Sequence, residues 1–297
     1  MSNRKIVTAC AILFLTAGCA IAAGLPADVP FELFHNVILV PVHLGDRGPY
    51  LAMIDTGTDP SAIDIALAKE LGLRLGRGGE IDGGGTQTVK AFETRLASVR
   101  VGSVTAVNVE VLAGGSIAKI GATLGRPIRL VLGKSFLNGR VVQFDFPRKM
   151  MRFLARSPDA VAARGRRAIL PSRYEDDVEL DGVRVDGKPV RAILDTGSNG
   201  SLKITPEAVH ALGLDAAASG GKEARGTGYR GTYSSREGHV ESLDLGGIRV
   251  ADPEAIFWLP NTGHDGKPWD VNVGNSILKD FVVTLDTVGR HVLIEKP

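Results

Sequence analysis

The 297-residue chain is 44% hydrophobic and 23% charged, the balance of a globular protein long enough for about two domains. Its 35 Lys and Arg against 33 Asp and Glu leave a formal net charge of +2, which gives no support for a nucleic-acid or acidic-lipid partner. Both cysteines, Cys10 and Cys19, fall in the first twenty residues, so the body is expected to contain neither a disulfide nor a thiol nucleophile, and 37 glycines suit a β-rich chain with many tight turns.

In chain order, residues 1–23 read as an export signal. Arg4 and Lys5 form a basic start, and Ile6 to Leu15 is an apolar stretch too short to span a bilayer as a mature helix. Two cleavage patterns follow. Thr16-Ala17-Gly18-Cys19 resembles a lipobox, with Thr16 where Leu is usual, and makes Cys19 a lipidation candidate. Ala20-Ile21-Ala22 and Ile21-Ala22-Ala23 fit an ordinary signal peptidase. Both readings imply an exported, periplasmic protein, soluble or lipid-anchored, touching a membrane only through that anchor.

The body then repeats itself. Met53-Ile54-Asp55-Thr56-Gly57-Thr58 matches Ile193-Leu194-Asp195-Thr196-Gly197-Ser198 at an offset of 140. Leu71-Gly72-Leu73, Leu130-Val131-Leu132-Gly133 and the run Val141 to Asp145 match Leu212-Gly213-Leu214, Val271-Asn272-Val273-Gly274 and Val282 to Asp286 at 141. A duplication this long predicts two similar lobes, residues 31–155 and 168–297, joined by a linker over 156–167 that carries Ser157-Pro158 and the basic run Arg164-Gly165-Arg166-Arg167.

Each lobe is predicted to be β. Asn36 to Leu44 and Tyr50 to Ile54 flank the turn Gly45 to Pro49, and Val178 to Val185 and Pro189 to Leu194 flank Asp186-Gly187-Lys188. Ser98 to Val111 and Gly238 to Val250 read as further strand-turn-strand units. One short helix per lobe is expected, at Ser61 to Leu71 and at Thr205 to Leu212, the second with a Thr cap, Pro206 at its first position and Gly213 at its end.

The paired Asp-Thr-Gly loops are the candidate site. Two carboxyls facing each other cannot both ionise cheaply, so they share a proton. One then acts as base on a water and the other as acid toward a scissile carbonyl and leaving nitrogen. Asp55 and Asp195 are the candidates, and their titration belongs to the pair. Gly57 and Gly197 would let backbone amides approach the carboxylates. Thr58 and Ser198 would donate hydroxyl hydrogen bonds to the outer carboxylate oxygens, and Thr56 and Thr196 would cross-link the loops through backbone groups.

These residues, with Leu-Gly-Leu, the apolar-apolar-Gly triplets and the closing strands through Asp145 and Asp286, resemble the retropepsin-like branch of bacterial aspartic peptidases over nearly all of the chain after Phe31. The resemblance implies an all-β, bilobal acid-protease fold of two β-barrel lobes about a pseudo-two-fold axis. Two Asp-Thr-Gly loops in one chain imply a monomer with an internal pseudo-dimer, a polypeptide substrate and no metal or cofactor. In the family the Gly triplet belongs to a ψ-shaped loop beneath the catalytic Asp; Asn272 departs from the apolar pattern in the second lobe. The family also covers its cleft with a glycine-bearing flap. The candidates here are Gly83, Gly84 and Gly85, and Gly226, Gly228 and Tyr229, with a plain flexible loop as the other reading of either stretch. A peptide would add to such flaps as an extra strand.

Other motifs are set aside. Gly133-Lys134-Ser135 lacks the Gly that a phosphate-binding loop needs at 128, the six histidines show no metal spacing, and Trp258 and Trp269 read as packing residues. The expectation is an aspartic endopeptidase. The alternatives are a non-catalytic peptide-binding protein or an envelope interaction protein on the same fold.

Overall fold

The computed structural model describes residues 27–81, 83–158 and 167–297. The export signal with Cys19, flap residue 82 and most of the linker lie outside the described residues.

The lobes join edge to edge. Six antiparallel strands lie side by side in the order Ala27–Pro30, Met150–Leu154, Val141–Asp145, Val282–Asp286, His291–Glu295 and Arg167–Tyr174. The register at the centre is informative. Gln143 stands opposite Thr284, its own counterpart at the offset of 141, and their side chains hydrogen-bond at 3.1 Å. When two equivalent residues pair in an antiparallel ladder, the local two-fold axis runs between them, so this pair marks the pseudo-dyad of the molecule. Asp145 closes the same sheet. Burial works to raise its pKa, but bonds from Arg148 and Arg152 hold the carboxyl below the usual carboxylate range.

In lobe one, the strands Val37–Leu44, Arg47–Ile54, Ile128–Leu132, Ala62–Asp64, Val104–Gly114 and Lys90–Val101 follow one another in a sheet. His43 then pairs with Arg100 and closes the ring into a barrel. Its filling is Val, Leu, Ile and Phe, including Ile38, Ile54, Ile63, Leu130 and Phe136, all fully buried. Lobe two follows the same order with its strands broken. Val178–Leu180 stays in the large sheet, and after Gly182 (φ +86°) the chain turns into Val183–Val185, which joins a separate four-stranded sheet.

The helices are where local pattern and fold diverge most. Pro206–Leu212 forms as expected, with Thr205 accepting from Ala208 N and Gly213 in the left-handed region. Ser61 to Leu71 does not form one helix. Ala62–Asp64 is drawn into the barrel as a strand between Val104–Gly114 and Ile128–Leu132, and only Ile65–Glu70 is helical, capped by Asp64. Sheet pairing outweighs helical spacing there. Each lobe also carries two further short helices: Ser116–Leu124 and Lys134–Leu137, Asp215–Gly220 and Asn275–Leu278.

The ψ-shaped crossing expected beneath each candidate Asp is present. Arg47–Ile54 runs parallel to Ile128–Leu132, which runs antiparallel to Ala62–Asp64; Ala192–Leu194, Val271–Val273 and Leu202–Ile204 repeat this in lobe two. Lys134 N donates to Thr58 O at 2.9 Å and Asn275 N to Ser198 O at 2.8 Å, so the chain after each Gly triplet supports the Asp-Thr-Gly loop above it. A Cβ on Gly133 would overlap the Thr58 carbonyl, a backbone atom that cannot step aside. Gly133→Ala is therefore expected to cost roughly 3 kcal/mol or more in urea-unfolding stability. Gly220→Ala, in a helix with nothing within 4 Å of the added methyl, should be neutral or up to about 1 kcal/mol stabilising.

Candidate active site

Both Asp-Thr-Gly loops leave the C-terminal end of a buried apolar strand, Arg47–Ile54 or Ala192–Leu194, and meet on the pseudo-dyad. The threonines lock them together. Thr56 Oγ1 donates to Leu194 O at 2.7 Å while accepting from Thr196 N at 3.0 Å. Thr196 Oγ1 returns the pattern to Ile54 O at 3.2 Å and Thr56 N at 3.1 Å. Both threonines are fully buried, so four cross-lobe hydrogen bonds are made with little competition from water.

This lock sets the carboxyls against each other. A methyl on Gly57 would stand 3.2 Å from Asp195 Cγ, and one on Gly197 would collide with the Asp55 carboxyl, so each glycine is the surface on which the opposite acid rests. Gly57 N donates to Asp55 Oδ1 at 2.8 Å and Gly197 N to Asp195 Oδ1 at 2.9 Å, the role read for the glycines from sequence. Burial, and next the charge of Asp195, push Asp55 up to about 7; bonds from Thr58 and Gly57 act against this.

The outer oxygens depart from expectation in one lobe. Thr58 Oγ1 donates to Asp55 Oδ2 at 2.6 Å as expected. Ser198 does not repeat this. Its hydroxyl is buried without a partner, and Ser198 supports the dyad through its backbone N, 3.1 Å from Asp195 Oδ1. The outer oxygen of Asp195 is taken by Asn272 Nδ2 at 2.6 Å. The reason is positional. Asn272 sits on Val271–Val273, paired with Ile193 two residues before Asp195, which puts its amide within hydrogen-bond reach of the carboxyl. Its departure from the apolar pattern, noted from sequence, is a contact to the dyad; the signal was there as a polar residue where lobe one has Val131.

The two flap candidates come together over the cleft. In lobe two, Lys222–Gly228 and Gly231–His239 form a hairpin with Tyr229 at its tip. In lobe one, Gly83, Gly84 and Gly85 lie against it. Arg230 N donates to Gly84 O and Gln87 N to Arg230 O, both at 2.9 Å, and Gly85 N donates to Thr262 O at 3.2 Å. A side chain at Gly85 would strike the Arg230 carbonyl and one at Gly228 the backbone of Gly84, while one at Gly83 would press against Tyr229 Cβ at 3.1 Å. A Cβ on Gly226 would instead meet Tyr233 of its own hairpin. The Tyr229 hydroxyl reaches the dyad, 2.8 Å from Thr58 Oγ1 and 3.3 Å from Asp55 Oδ2.

Beneath this roof lies a cavity of roughly 1000 Å³ lined from both lobes, with both carboxyls at its floor. Trp258 and Trp269 pack as expected, and they also form its lobe-two wall, with His264 stacked on Trp258 at 3.7 Å. Asp177 lines the cavity too, held by Trp269 Nε1 at 3.0 Å, and burial, with the Asp195 charge second, pushes it up to about 6. At the offset of 141 its counterpart is Asn36, an amide where lobe two has an acid, so the duplication gave no signal for it.

Comparison with known proteins agrees with this geometry. The model of the aspartyl protease family matches the chain twice, over residues 40–136 and 182–276, one match on each side of the pseudo-dyad. A search of the curated proteins finds no match. With two repeats of the family covering more than half of its length, each containing one of the facing Asp-Thr-Gly loops, the chain belongs to the aspartyl protease family.

Proposed function

We propose that this protein is an aspartic endopeptidase that hydrolyses peptide bonds in extended polypeptides, with Asp55 and Asp195 as its catalytic pair. The observation that carries the reading is the meeting of two carboxyls, one from each lobe, on the floor of a cavity lined by both. The chemistry needs one proton between them. The ionised carboxyl draws a proton from water as it attacks the carbonyl carbon. The protonated one hydrogen-bonds the carbonyl oxygen, and the leaving nitrogen is protonated as the C–N bond breaks. Preorganisation is supplied by the threonine lock, since neither loop can move away without breaking bonds into the other lobe, and by the donors that hold each carboxyl on its loop.

A peptide enters under this reading by parting the two backbone hydrogen bonds between the flaps and that from Gly85 to Thr262, and by displacing the Tyr229 hydroxyl from Asp55. The freed amides and carbonyls can then pair with substrate backbone as an added strand. The reading extends to a monomer that works in the periplasm. The internal duplication supports the first, and the basic-then-apolar N-terminus the second.

Asp55→Asn and Asp195→Asn are each expected to abolish cleavage of a peptide library, a loss of about 10³-fold or more, while circular dichroism stays that of the wild type. Wild-type turnover in either variant would end the shared-dyad mechanism. Because Asp55 is pushed up to about 7, cleavage should fall as pH rises through that value and the pair loses its last proton.

Stability should follow the same group with a definite sign. An acid whose folded pKa lies above its unfolded value binds protons more tightly when folded, so the wild type loses stability as pH rises from about 4 to 7. Asp55→Asn removes that penalty. Its melting temperature relative to the wild type should rise by a few degrees between pH 4 and pH 7.5, measured by calorimetry.

A further inference from the structure

The two halves of the dyad have different kinds of hydrogen-bond donor. Asp195 accepts three N–H groups: Gly197 N at 2.9 Å and Ser198 N at 3.1 Å on Oδ1, and Asn272 Nδ2 at 2.6 Å on Oδ2. Asp55 accepts one N–H, from Gly57, and two hydroxyls, Thr58 and Tyr229, both on Oδ2. The difference is chemical. An N–H can only donate, so each one demands a lone pair and favours the carboxylate. A hydroxyl can rotate and accept, so the Asp55 site tolerates a carboxylic acid proton on Oδ2 as readily as a lone pair.

Asn272 is the member of this set that the duplication did not supply. Its counterpart in lobe one is Val131, and the hydroxyl that should have served Asp195, that of Ser198, is buried and unpartnered. The amide orientation follows from its surroundings. Asn272 Oδ1 has no partner. Turning the amide over would leave an NH₂ with its donors unmet in that place, a worse arrangement than one unmet acceptor.

We propose that Asn272 is a positioning residue that keeps Asp195 the ionised base of the pair, so that the shared proton rests on Asp55. This rests on the hydrolytic reading above. The cavity that holds Asp195 is also lined by the carboxyls of Asp55, Asp176 and Asp177, by Tyr229 and His264, and by the cations Lys203, Arg225 and Lys267, while the groups bonded directly to its carboxyl are the three N–H donors. Its charge is therefore held by the three N–H donors. Exposure points the same way: Asp195 is part-exposed while Asp55 is 5% exposed, so the less hydrated carboxyl is the one left neutral.

The test replaces the amide by the residue lobe one uses. Asn272→Val removes one hydrogen bond to a charged oxygen, worth about tenfold in the ionisation equilibrium, or about one pH unit. The acid limb of the kcat profile should move up by about that unit, kcat should fall roughly tenfold at its optimum and KM should stay within about twofold. A purely structural role would lower the active fraction and leave the limb in place.

A second readout needs no activity. In protein labelled at the Asp carboxyl carbon, with resonances assigned through Asp55→Asn and Asp195→Asn, the Asp55 carbon should carry the upper titration step and the Asp195 carbon the lower. Asn272→Val should bring the two together. An Asp195 carbon that carries the upper step in the wild type overturns the proposal even if Asn272→Val fails to fold. So does an unchanged pair of titrations in the variant. A wild type that cleaves no peptide would count against the hydrolytic reading, and the carbon titration would still decide the role of Asn272.

Discussion

Each of Thr56 and Thr196 spends its hydroxyl twice, donating to a carbonyl of the other lobe and accepting an amide of the other lobe, and this mutual bond is the constraint on which the site depends. It brings two acidic loops closer than their charges favour. Like charges in a buried setting repel strongly enough that one carboxyl takes up a proton instead. The lock has to resist what remains of that repulsion, and it does so from positions with no solvent exposure, where a broken hydrogen bond would leave a polar group unmet.

The lock alone would be a hinge. The six-stranded sheet on the same axis makes it a frame. Gln143 and Thr284 pair across the pseudo-dyad, and the sheet runs on through Arg167–Tyr174 into the strands of lobe two, so a rotation of one lobe would shear backbone ladders as well as the loops. Asn275 adds a third tie. Its amide donates to Thr196 O and to Asn36 O, and Asn36 in turn donates to Asn199 O and Ser276 Oγ. The site is thus fixed from the sheet, from the loops and from one flank of the cleft.

Much of this was legible because duplication leaves a readable offset. The Asp-Thr-Gly loops, the Gly triplets beneath them and the closing strands all fell at 140 or 141 residues; the structure places the loops and closing strands against their counterparts and the triplets at equivalent positions in each lobe. What sequence could not supply was long-range pairing. Ala62-Ile63-Asp64 has helical spacing and becomes a strand because two barrel strands flank it. Tyr229 was seen as a flap residue, but its reach to Thr58 and Asp55 depends on the hairpin crossing from the other lobe. The hydroxyl of Ser198 was assigned by analogy with Thr58, and analogy fails wherever a third residue competes for the same oxygen.

That failure carries the wider lesson about the molecule. Exact two-fold symmetry would give two identical carboxyls with no preference for where the proton rests. Amide hydrolysis by a shared proton needs one base and one acid at the start of each turnover. The places where the lobes disagree at matched positions are therefore where the roles can be set apart. Val131 against Asn272 places an obligate donor under one acid only. Asn36 against Asp177, each one residue before its strand, turns one flank into an inter-lobe tie and leaves the other a carboxyl facing the cavity. Lys134 against Asn275 gives one lobe a surface ion pair with Asp59 and the other a bond into the threonine loop. The duplication builds the geometry, and divergence at these pairs gives the two carboxyls different hydrogen-bonding surroundings.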